Sequence, residues 1–293
     1  MKNILFLAAS LLSITLKAQY YYNDIVATQD INNKMKTYVA AKVQSIIATG
    51  FDPMGKKSPD FNEWHDVQHN GSVLKITTRN GQTVTRTYYT FDTKTRVINA
   101  RDSSTDIQSI TTYSYDAGDN LVNIKTTTND PLHDFDQIKE RQYKYTPDGK
   151  PSTMLLITNG TDSLGYKFTI DEHKNVVDEM LYHRGGSQNQ IYYTYEQHKI
   201  YYFYDDKNRM TDITKYNAKI DRLLPDFMFE YDENNQVIQR ITVLSTVSYD
   251  TKKPDYLIWR YGYNEKGLKT KEVLYGKEKE LKGKIEYSYS FAQ

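Results

Sequence analysis

The histidines that could bind a metal ion are few, and two of them lie close together in the chain. His65 and His69 are four residues apart, so both would face the same way on a helix or on a strand. The segment lacks the glutamate of an H-E-x-x-H zinc site. Asn70-Gly71, a strong hairpin signal, turns the chain immediately afterwards. We therefore predict a turn at this position and no metal site.

Three other segments carry residue types that are used in catalysis or ligand binding. His133–Asp136 combines an imidazole with two carboxylates, but it lacks the pattern of a calcium-binding loop, and we predict a solvated loop. His183–Gly186 is predicted to be a turn, and the sequence contains no phosphate-binding glycine motif. Ser163–Gly165 is too short a match to the nucleophile elbow of hydrolases.

The remaining chemistry is limited by composition. The chain has no cysteine, which excludes thiolate metal sites and cysteine nucleophiles. Aspartates and glutamates are concentrated at predicted turns, where backbone hydrogen bonding explains them, and no carboxylate pair suited to glycoside hydrolysis stands out. We expect no catalytic residues, no metal site and no cofactor. An enzyme on a β-scaffold is the alternative, and it would require a cleft with converging carboxylates.

Charge and hydropathy restrict the partners. The 293 residues include 38 Lys and Arg against 37 Asp and Glu, a net charge of +1, which provides no electrostatic surface for nucleic acid. No internal stretch approaches the roughly 20 apolar residues of a membrane-spanning helix. We therefore expect no nucleic-acid partner and no transmembrane helix in the mature chain. A protein or glycan partner is left open.

The first residues resemble a secretory signal peptide. Lys2 provides the positive charge, Ile4–Leu16 is uncharged, and Ala18 is a small residue at the expected cleavage point. We predict that residues 1–18 are removed after Ala18. The short signal and the missing cysteines favour a bacterial export product, in the periplasm, at the cell surface or in the medium.

A helix and a linker are expected over residues 19–63. In Asp30–Thr49 the apolar residues recur at steps of three and four, with Asp30 as N-cap and Gly50 after the last turn. Such a stripe usually packs on a sheet, although a membrane-surface or partner-binding helix would show the same pattern. Residues 50–63 carry two Gly, two Pro and two Asp, and they are predicted to form a loop.

Residues 64–293 are predicted to form a β-repeat domain. The chain contains 27 Tyr, and from about residue 87 an alternating aromatic run meets a polar turn seven times. The runs are Tyr89–Phe91, Tyr113–Tyr115, Tyr143–Tyr145, Tyr166–Ile170, Tyr202–Tyr204, Phe227–Tyr231 and Trp259–Tyr263, with a half-copy at Tyr287–Phe291. The average spacing is about 29 residues, which is typical of a repeat architecture.

The alternation has a direct structural meaning. Residues two apart on a strand share a face, so each run places an aromatic ladder on one side and polar residues on the other. Single hairpins are marginally stable, so neighbouring units must pair. The predicted fold is mostly β: an antiparallel β-hairpin array forming an extended or curled single sheet, preceded by one N-terminal α-helix. We expect the ladders to form the sheet's own core. If they are instead exposed, Trp64 and Trp259 are the strongest candidates for anchoring a ligand.

Tyr113–Leu121, which reads YSYDAGDNL, resembles the tyrosine–aspartate (YD) repeat of Rhs and teneurin-type proteins. Looser matches occur at Phe203–Met210, Tyr231–Val237 and Tyr261–Leu268. The resemblance covers residues 87–291, about two thirds of the chain. It implies β-hairpin arrays that wrap into shells or lie as extended sheets.

These observations favour an exported, non-enzymatic repeat protein that binds or scaffolds at the bacterial cell envelope or outside the cell. One alternative is a carbohydrate-binding auxiliary protein. Another is an outer-membrane β-barrel, because Tyr287–Phe291 resembles the alternating aromatic last strand of such barrels. The strands after the turns, however, lack the continuous outward apolar face that lipid requires.

Overall fold

A computed structural model describes residues 19–103, 107–130, 133–185, 199–217, 221–244 and 255–292, so the predicted signal peptide and Gly186 lie outside the described residues. A π-helical segment, Tyr21–Val26, continues into α1, Ala27–Ala40. The strands are β1 Val43–Phe51, β2 Lys57–Gln68, β3 Val73–Asn80, β4 Thr83–Phe91, β5 Val97–Ser103, β6 Gln108–Tyr115, β7 Leu121–Asp130, β8 Phe135–Tyr145, β9 Pro151–Thr158, β10 Asp162–Ile170, β11 Val176–Gly185, β12 Lys199–Tyr204, β13 Met210–Asn217, β14 Arg222–Tyr231, β15 Val237–Leu244, β16 Asp255–Tyr263, β17 Lys269–Tyr275 and β18 Leu281–Phe291.

The sheet is a closed barrel of 18 strands. Each strand pairs antiparallel with the next one along the chain, and β18 returns to pair with β1, where Tyr289 lies opposite Ile46. The expectation of a mostly β, antiparallel sheet is confirmed, but the extended or curled form is wrong. Closure pairs the two edge strands, whose backbone groups would otherwise be open to other chains.

The predicted helix over Asp30–Thr49 is wrong in its second half. The helix ends at Ala40, Lys42 takes a left-handed backbone conformation (φ 56), and Val43–Phe51 forms β1. Asp30 lies within the first turn of α1 rather than at its cap. The apolar residues of β1 continued the three-and-four spacing of the helix, and pairing with both β2 and β18 overrides that local pattern.

The tight turns at one end of the barrel share one construction. In the turn that begins at Asp116, a carboxylate oxygen accepts the N–H groups of Gly118 and Asn120 at 2.8 and 2.9 Å. Asp119, the fourth residue, has a φ of 65°. A type I turn followed by a left-handed residue gives this three-residue hairpin. The same turn recurs at residues 92–96, 146–150, 171–175, 205–209, 232–236 and 264–268. We call this the turn end of the barrel. Asn70-Gly71, as predicted, also forms a turn there, between β2 and β3.

The aromatic ladders point into the barrel and form its core. Tyr143, Tyr166, Phe168 and Tyr202 are each less than 10% exposed and belong to one buried cluster. A second cluster, around Met35 of α1, lies on β1, β3, β4 and β5. The ladders are therefore the protein's own core rather than an exposed surface.

Candidate functional site: the plugged lumen

The N-terminal helical segment, residues 21–40, lies inside the barrel, and we call it the plug. Tyr22 packs against Phe229 of β14, with ring centroids 5.7 Å apart, Asn32 bonds to β5, and Tyr38 faces β2. In the ring of 18 strands, β5 and β14 are nine positions apart and therefore lie on opposite sides. A segment that contacts both must lie within the ring.

The start of the plug is held by one buried carboxylate. Glu179 of β11 accepts the backbone N–H groups of Tyr20 and Tyr21 at 2.9 and 2.8 Å. The first N–H groups of a helix have no partner inside the helix, and a carboxylate there also favours the helix dipole. Burial raises the pKa of Glu179 to about 7, because desolvation outweighs these hydrogen bonds.

Gln19, the residue before the helical segment, is also held in the lumen. Its Nε2 donates to Asp226 Oδ2 at 2.6 Å, and Lys215 Nζ lies 2.5 Å from the same oxygen. Gln19 is only 1% exposed, and its Oε1 has no hydrogen-bond partner among the residues that the structure describes. The chain thus enters the plug through an anchored, buried residue.

The first half of the plug is held by an ion pair and by aromatic packing. Asp24 pairs with Arg141 Nη1 at 3.1 Å and accepts the Tyr143 hydroxyl. Burial raises the pKa of Asp24, and both of these partners oppose that rise. Tyr21 packs edge-on against Tyr202, with ring centroids 5.3 Å apart. The plug is therefore fixed by directional contacts as well as by apolar burial.

The C-terminal end of the plug contacts His65, one of the two histidines that lie four residues apart in the sequence. His65 Nε2 lies 2.7 Å from Glu63 Oε1, and its Nδ1 faces the Tyr38 hydroxyl at 3.5 Å. Glu63 also accepts the Thr78 hydroxyl at 2.7 Å. His69 instead lies in the turn that follows β2. The two imidazoles therefore lie in different parts of the barrel. The described ranges contain no group of three or more His, Asp or Glu arranged to hold a metal ion.

The other segments singled out in the sequence are spread over the wall. His133 Nδ1 lies 2.8 Å from Asp130, whereas Asp136 accepts the Asn129 amide. The loop predicted at His133–Asp136 is wrong from Phe135 onward, because β8 begins there and pairs with β7. The turn predicted at His183–Gly186 is wrong as far as Gly185, because β11 continues to that residue. Ser163–Gly165 lies within β10, where no elbow exists.

The two tryptophans lie on opposite faces of the wall. Trp259 is buried in the lumen opposite Arg240 and Leu274. Trp64 lies on the outer face, paired with Ile47 and Thr77. They cannot form one binding surface.

Sequence reasoning missed a hydrogen bond that joins successive repeats. A tyrosine at the end of a strand donates its hydroxyl to the carbonyl of the first residue after the preceding turn, and we call each such bond a tyrosine staple. The staples join Tyr115 to Val97, Tyr145 to Leu121, Tyr204 to Val176, Tyr231 to Met210, Tyr263 to Val237 and Tyr289 to Lys269, at 2.6–3.0 Å. The signal was the place of Tyr directly before the first turn residue, which five of these six tyrosines occupy.

Neighbouring turns are also linked to each other at the turn end. Arg96 pairs with Asp119 of the next turn, and Arg209 donates to the carbonyl of Asp232 at 2.8 Å. Asn175 donates to Asn208 at 3.0 Å. The residue that follows the left-handed position makes each link, which gives this end of the barrel a hydrogen-bonded rim.

The outer face of the wall carries charged residues on β3 to β8 and one row of apolar residues across β14 to β17. Leu74 and Tyr89 face inward, so their neighbours Lys75 and Tyr88 face outward. The same alternation places Arg86, Arg101, Lys125 and Glu140 outside. Across β14 to β17, the outward residues in direct register are Met228, Ile241, Ile258 and Tyr275. We call the first group the charged sector and the second the apolar row.

The fold and the site together define a closed antiparallel β-barrel whose lumen contains its own N-terminal helical segment. No protein-family model matches the chain, and no curated protein matches it. Among the helices that the structure describes, none is long and apolar enough to cross a membrane.

Solved structures with low similarity include porin-like proteins and a toxin complex. A porin-like protein from Bacteroides uniformis is 9% identical with a TM-score of 0.40, and one from Bacteroides vulgatus is 12% identical with a TM-score of 0.29; each covers 85% of this chain and 98% of the other. The Photorhabdus luminescens Tc holotoxin pore is 13% identical over 75% of this chain, with a TM-score of 0.32. The chain spans only 12% of that toxin chain. TM-scores of this size do not define a family.

Proposed function

We propose that this protein is an exported β-barrel of the bacterial cell envelope that works by binding or scaffolding and has no enzymatic activity. The observation that carries the proposal is the plug, which contacts β5 and β14 on opposite sides of the lumen and β11 between them. An 18-stranded porin leaves an aqueous channel. Here the aromatic ladders and the plug lie in that space, and we place partner binding on the outer wall or at the barrel ends.

The charged sector favours water over lipid as the surroundings of the wall. Lys125 and Glu140 lie opposite each other on adjacent strands, both facing outward. Each Arg or Lys on the lipid face of a barrel costs about 2–4 kcal/mol at the membrane midplane. Lys75, Arg86, Arg101 and Lys125 together make full immersion of this sector unfavourable.

An outer-membrane barrel is the second candidate, and it has its own supporting observation. The ring has an even number of antiparallel strands joined in chain order, which is the arrangement of bacterial outer-membrane barrels. This closed architecture supports the barrel alternative better than it supports an open scaffold array. The apolar row would then face lipid.

Cell fractionation tests the proposal and separates the two candidates. Membranes from the native cells are washed with high-pH carbonate, and gel mobility is compared with and without heating. Recovery in the periplasm or the medium is the expected result. Retention after the wash, with heat-dependent mobility, would identify a membrane-inserted barrel. Leu11→Arg, which interrupts the signal peptide, is the control and should keep the precursor in the cytoplasm.

The aromatic ladders cannot provide the exposed surface that the carbohydrate-binding alternative requires, because they face the lumen. Outward aromatic residues such as Trp64, Tyr88 and Tyr201 are what it has left. Trp64 is the outward tryptophan of the two in the chain. A glycan-dependent change in fluorescence that Trp64→Phe abolishes would support this alternative.

A further inference from the structure

Glu179 is a buried carboxylate without a cation among its described partners. It is 0% exposed, and it accepts hydrogen bonds from two uncharged backbone N–H groups, those of Tyr20 and Tyr21. The charged residue that acts on it is Asp24, which has the same sign. A buried carboxylate is costly unless an opposite charge compensates it. The position therefore calls for a positive charge close to the start of the plug.

The backbone supplies a position for that charge. The Gln19 carbonyl accepts the Asn23 N–H at 2.8 Å, so the helical hydrogen bonding already begins at Gln19. Three covalent bonds separate the Gln19 nitrogen from the Tyr20 nitrogen that donates to Glu179. The two nitrogens are therefore within about 4 Å of each other. Gln19 is held at this place by its side-chain bond to Asp226.

We propose that removal of the leader after Ala18 creates an α-ammonium group on Gln19 that forms an internal ion pair with Glu179 and so locks the plug in the barrel. A leader peptidase would hydrolyse the Ala18–Gln19 peptide bond with one water molecule. The new carboxylate leaves on Ala18, and the new amine on Gln19 takes up a proton. Before cleavage the same nitrogen is an uncharged amide. The inference rests on the export predicted for this protein.

The other charged groups at this end leave room for such a pair. Lys215 is engaged by Asp226, on the side-chain side of Gln19. Arg141 is engaged by Asp24. An ammonium group at a helix N-terminus is normally unfavourable, because the helix dipole is positive there. The carboxylate of Glu179 reverses that preference locally.

A double-mutant cycle on four purified proteins tests the ion pair without depending on export. Two chains begin at Gln19 and two retain Ala18, each with and without Glu179→Gln, and all are released from a fusion partner that leaves no extra residue. Retaining Ala18 moves the ammonium by one residue. We expect this to lower Tm by about 5–10 °C when Glu179 is present and by much less in the Glu179→Gln pair. Equal losses in both pairs would overturn the proposal.

A second measurement reads the amine directly. Reductive methylation at neutral pH, followed by mass spectrometry, should modify the amino terminus of the mature chain slowly and that of its Glu179→Gln variant rapidly. The exposed Lys36 gives the reference rate in both. Equal protection of the amino terminus in the two proteins would count against the ion pair.

Mass spectrometry of the native exported protein completes the test. The expected product begins at Gln19 with a free amine. A different first residue, or a cyclised Gln19 that has lost ammonia and carries no charge, would overturn the proposal. A protein that stays uncleaved in the cytoplasm would instead refute the predicted export, while the double-mutant cycle would still report on the ion pair.

Discussion

The hydroxyl of Tyr204 donates a hydrogen bond to the carbonyl oxygen of Val176, 2.8 Å away and 28 residues earlier in the chain. Five further tyrosines repeat this relationship around the barrel. The bond joins the end of one repeat to the start of a strand in the repeat before it. It gives a physical reason why Tyr so often precedes the turn residue in this sequence.

Removing one hydroxyl should therefore destabilise the barrel measurably. We expect Tyr204→Phe to lower the free energy of unfolding by about 1 kcal/mol, the usual contribution of one hydrogen bond. Urea unfolding followed by tryptophan fluorescence would measure it. Tyr201→Phe, on the outward face of the same strand, is the matched control and should change little. Equal losses for the two variants would show that the staple contributes nothing specific. Phe91 and Ile170 occupy equivalent positions without a hydroxyl, so the fold tolerates the loss of one staple.

The turn aspartates should be replaceable by asparagine but not by alanine. Asp205 accepts the N–H groups of Lys207 and Arg209 through one oxygen, and Asn264 makes the same two bonds in its own turn. We expect Asp205→Ala to lower Tm by about 2–4 °C and Asp205→Asn to lower it by less. Calorimetry would measure both. Asp206→Ala, one residue further on, is the control. A loss there as large as at Asp205 would contradict the role of the turn bonds.

Removing one partner of the ion pair between the plug and β8 should destabilise the folded protein. Arg141→Met leaves the buried carboxylate of Asp24 without its cation. We expect a loss of about 3–5 kcal/mol in the free energy of unfolding. Adding Asp24→Asn should recover part of that loss, because the uncompensated charge is then gone. Lys144→Met on the outward face of the same strand is the control for the lost methylene packing and charge. If the single and double variants are equally unstable, the ion pair is not the cause.

The pH dependence of stability should change with processing. Burial raises the pKa of Glu179 from 4.5 to about 7, so the folded state binds the proton more tightly than the unfolded state. This contribution to stability is complete below pH 4.5 and is lost as pH rises through about 7. We expect that loss in a chain that retains Ala18 and not in its Glu179→Gln variant. In the chain that begins at Gln19, the ammonium should keep the carboxylate ionised and flatten the profile.

Urea midpoints between pH 4.5 and 8 would measure this difference. Asp24 and Asp30 also have raised pKa values, that of Asp30 to about 6, so single profiles mix several groups. The difference between each chain and its Glu179→Gln variant isolates the group of interest. Identical difference profiles for the two starting residues would contradict the effect of the ammonium.

The sequence was informative where local chemistry decides the structure. The Asp-rich turns and the inward ladders follow from strand alternation and from turn hydrogen bonding, as Asp116 and Tyr143 show. The closure of the barrel could not be predicted from the sequence, because it depends on β1. The apolar spacing around Ile46 and Ile47 fits a helix as well as a strand, and only pairing with β18 and β2 decides between them.

The candidate site was hidden from sequence reasoning for a related reason. Glu179 and Gln19 are 160 residues apart and carry no motif. The residues around Glu179 in its strand do not mark it as a buried site. Its partners lie at the start of the plug, which is distant from it in the sequence. The tyrosines were recognised as core residues, but their hydroxyl partners depend on the offset between repeats, which composition does not reveal.

The pairing of β1 with β18 has a consequence for how the molecule is made. Ser45 and Ser290, whose hydroxyls lie 2.7 Å apart, are separated by 245 residues. Every other strand pairing is between neighbours along the chain and closes only a short loop. The wall can therefore grow hairpin by hairpin, while the final seam forms only with the last strand and has the largest single loop-closure cost.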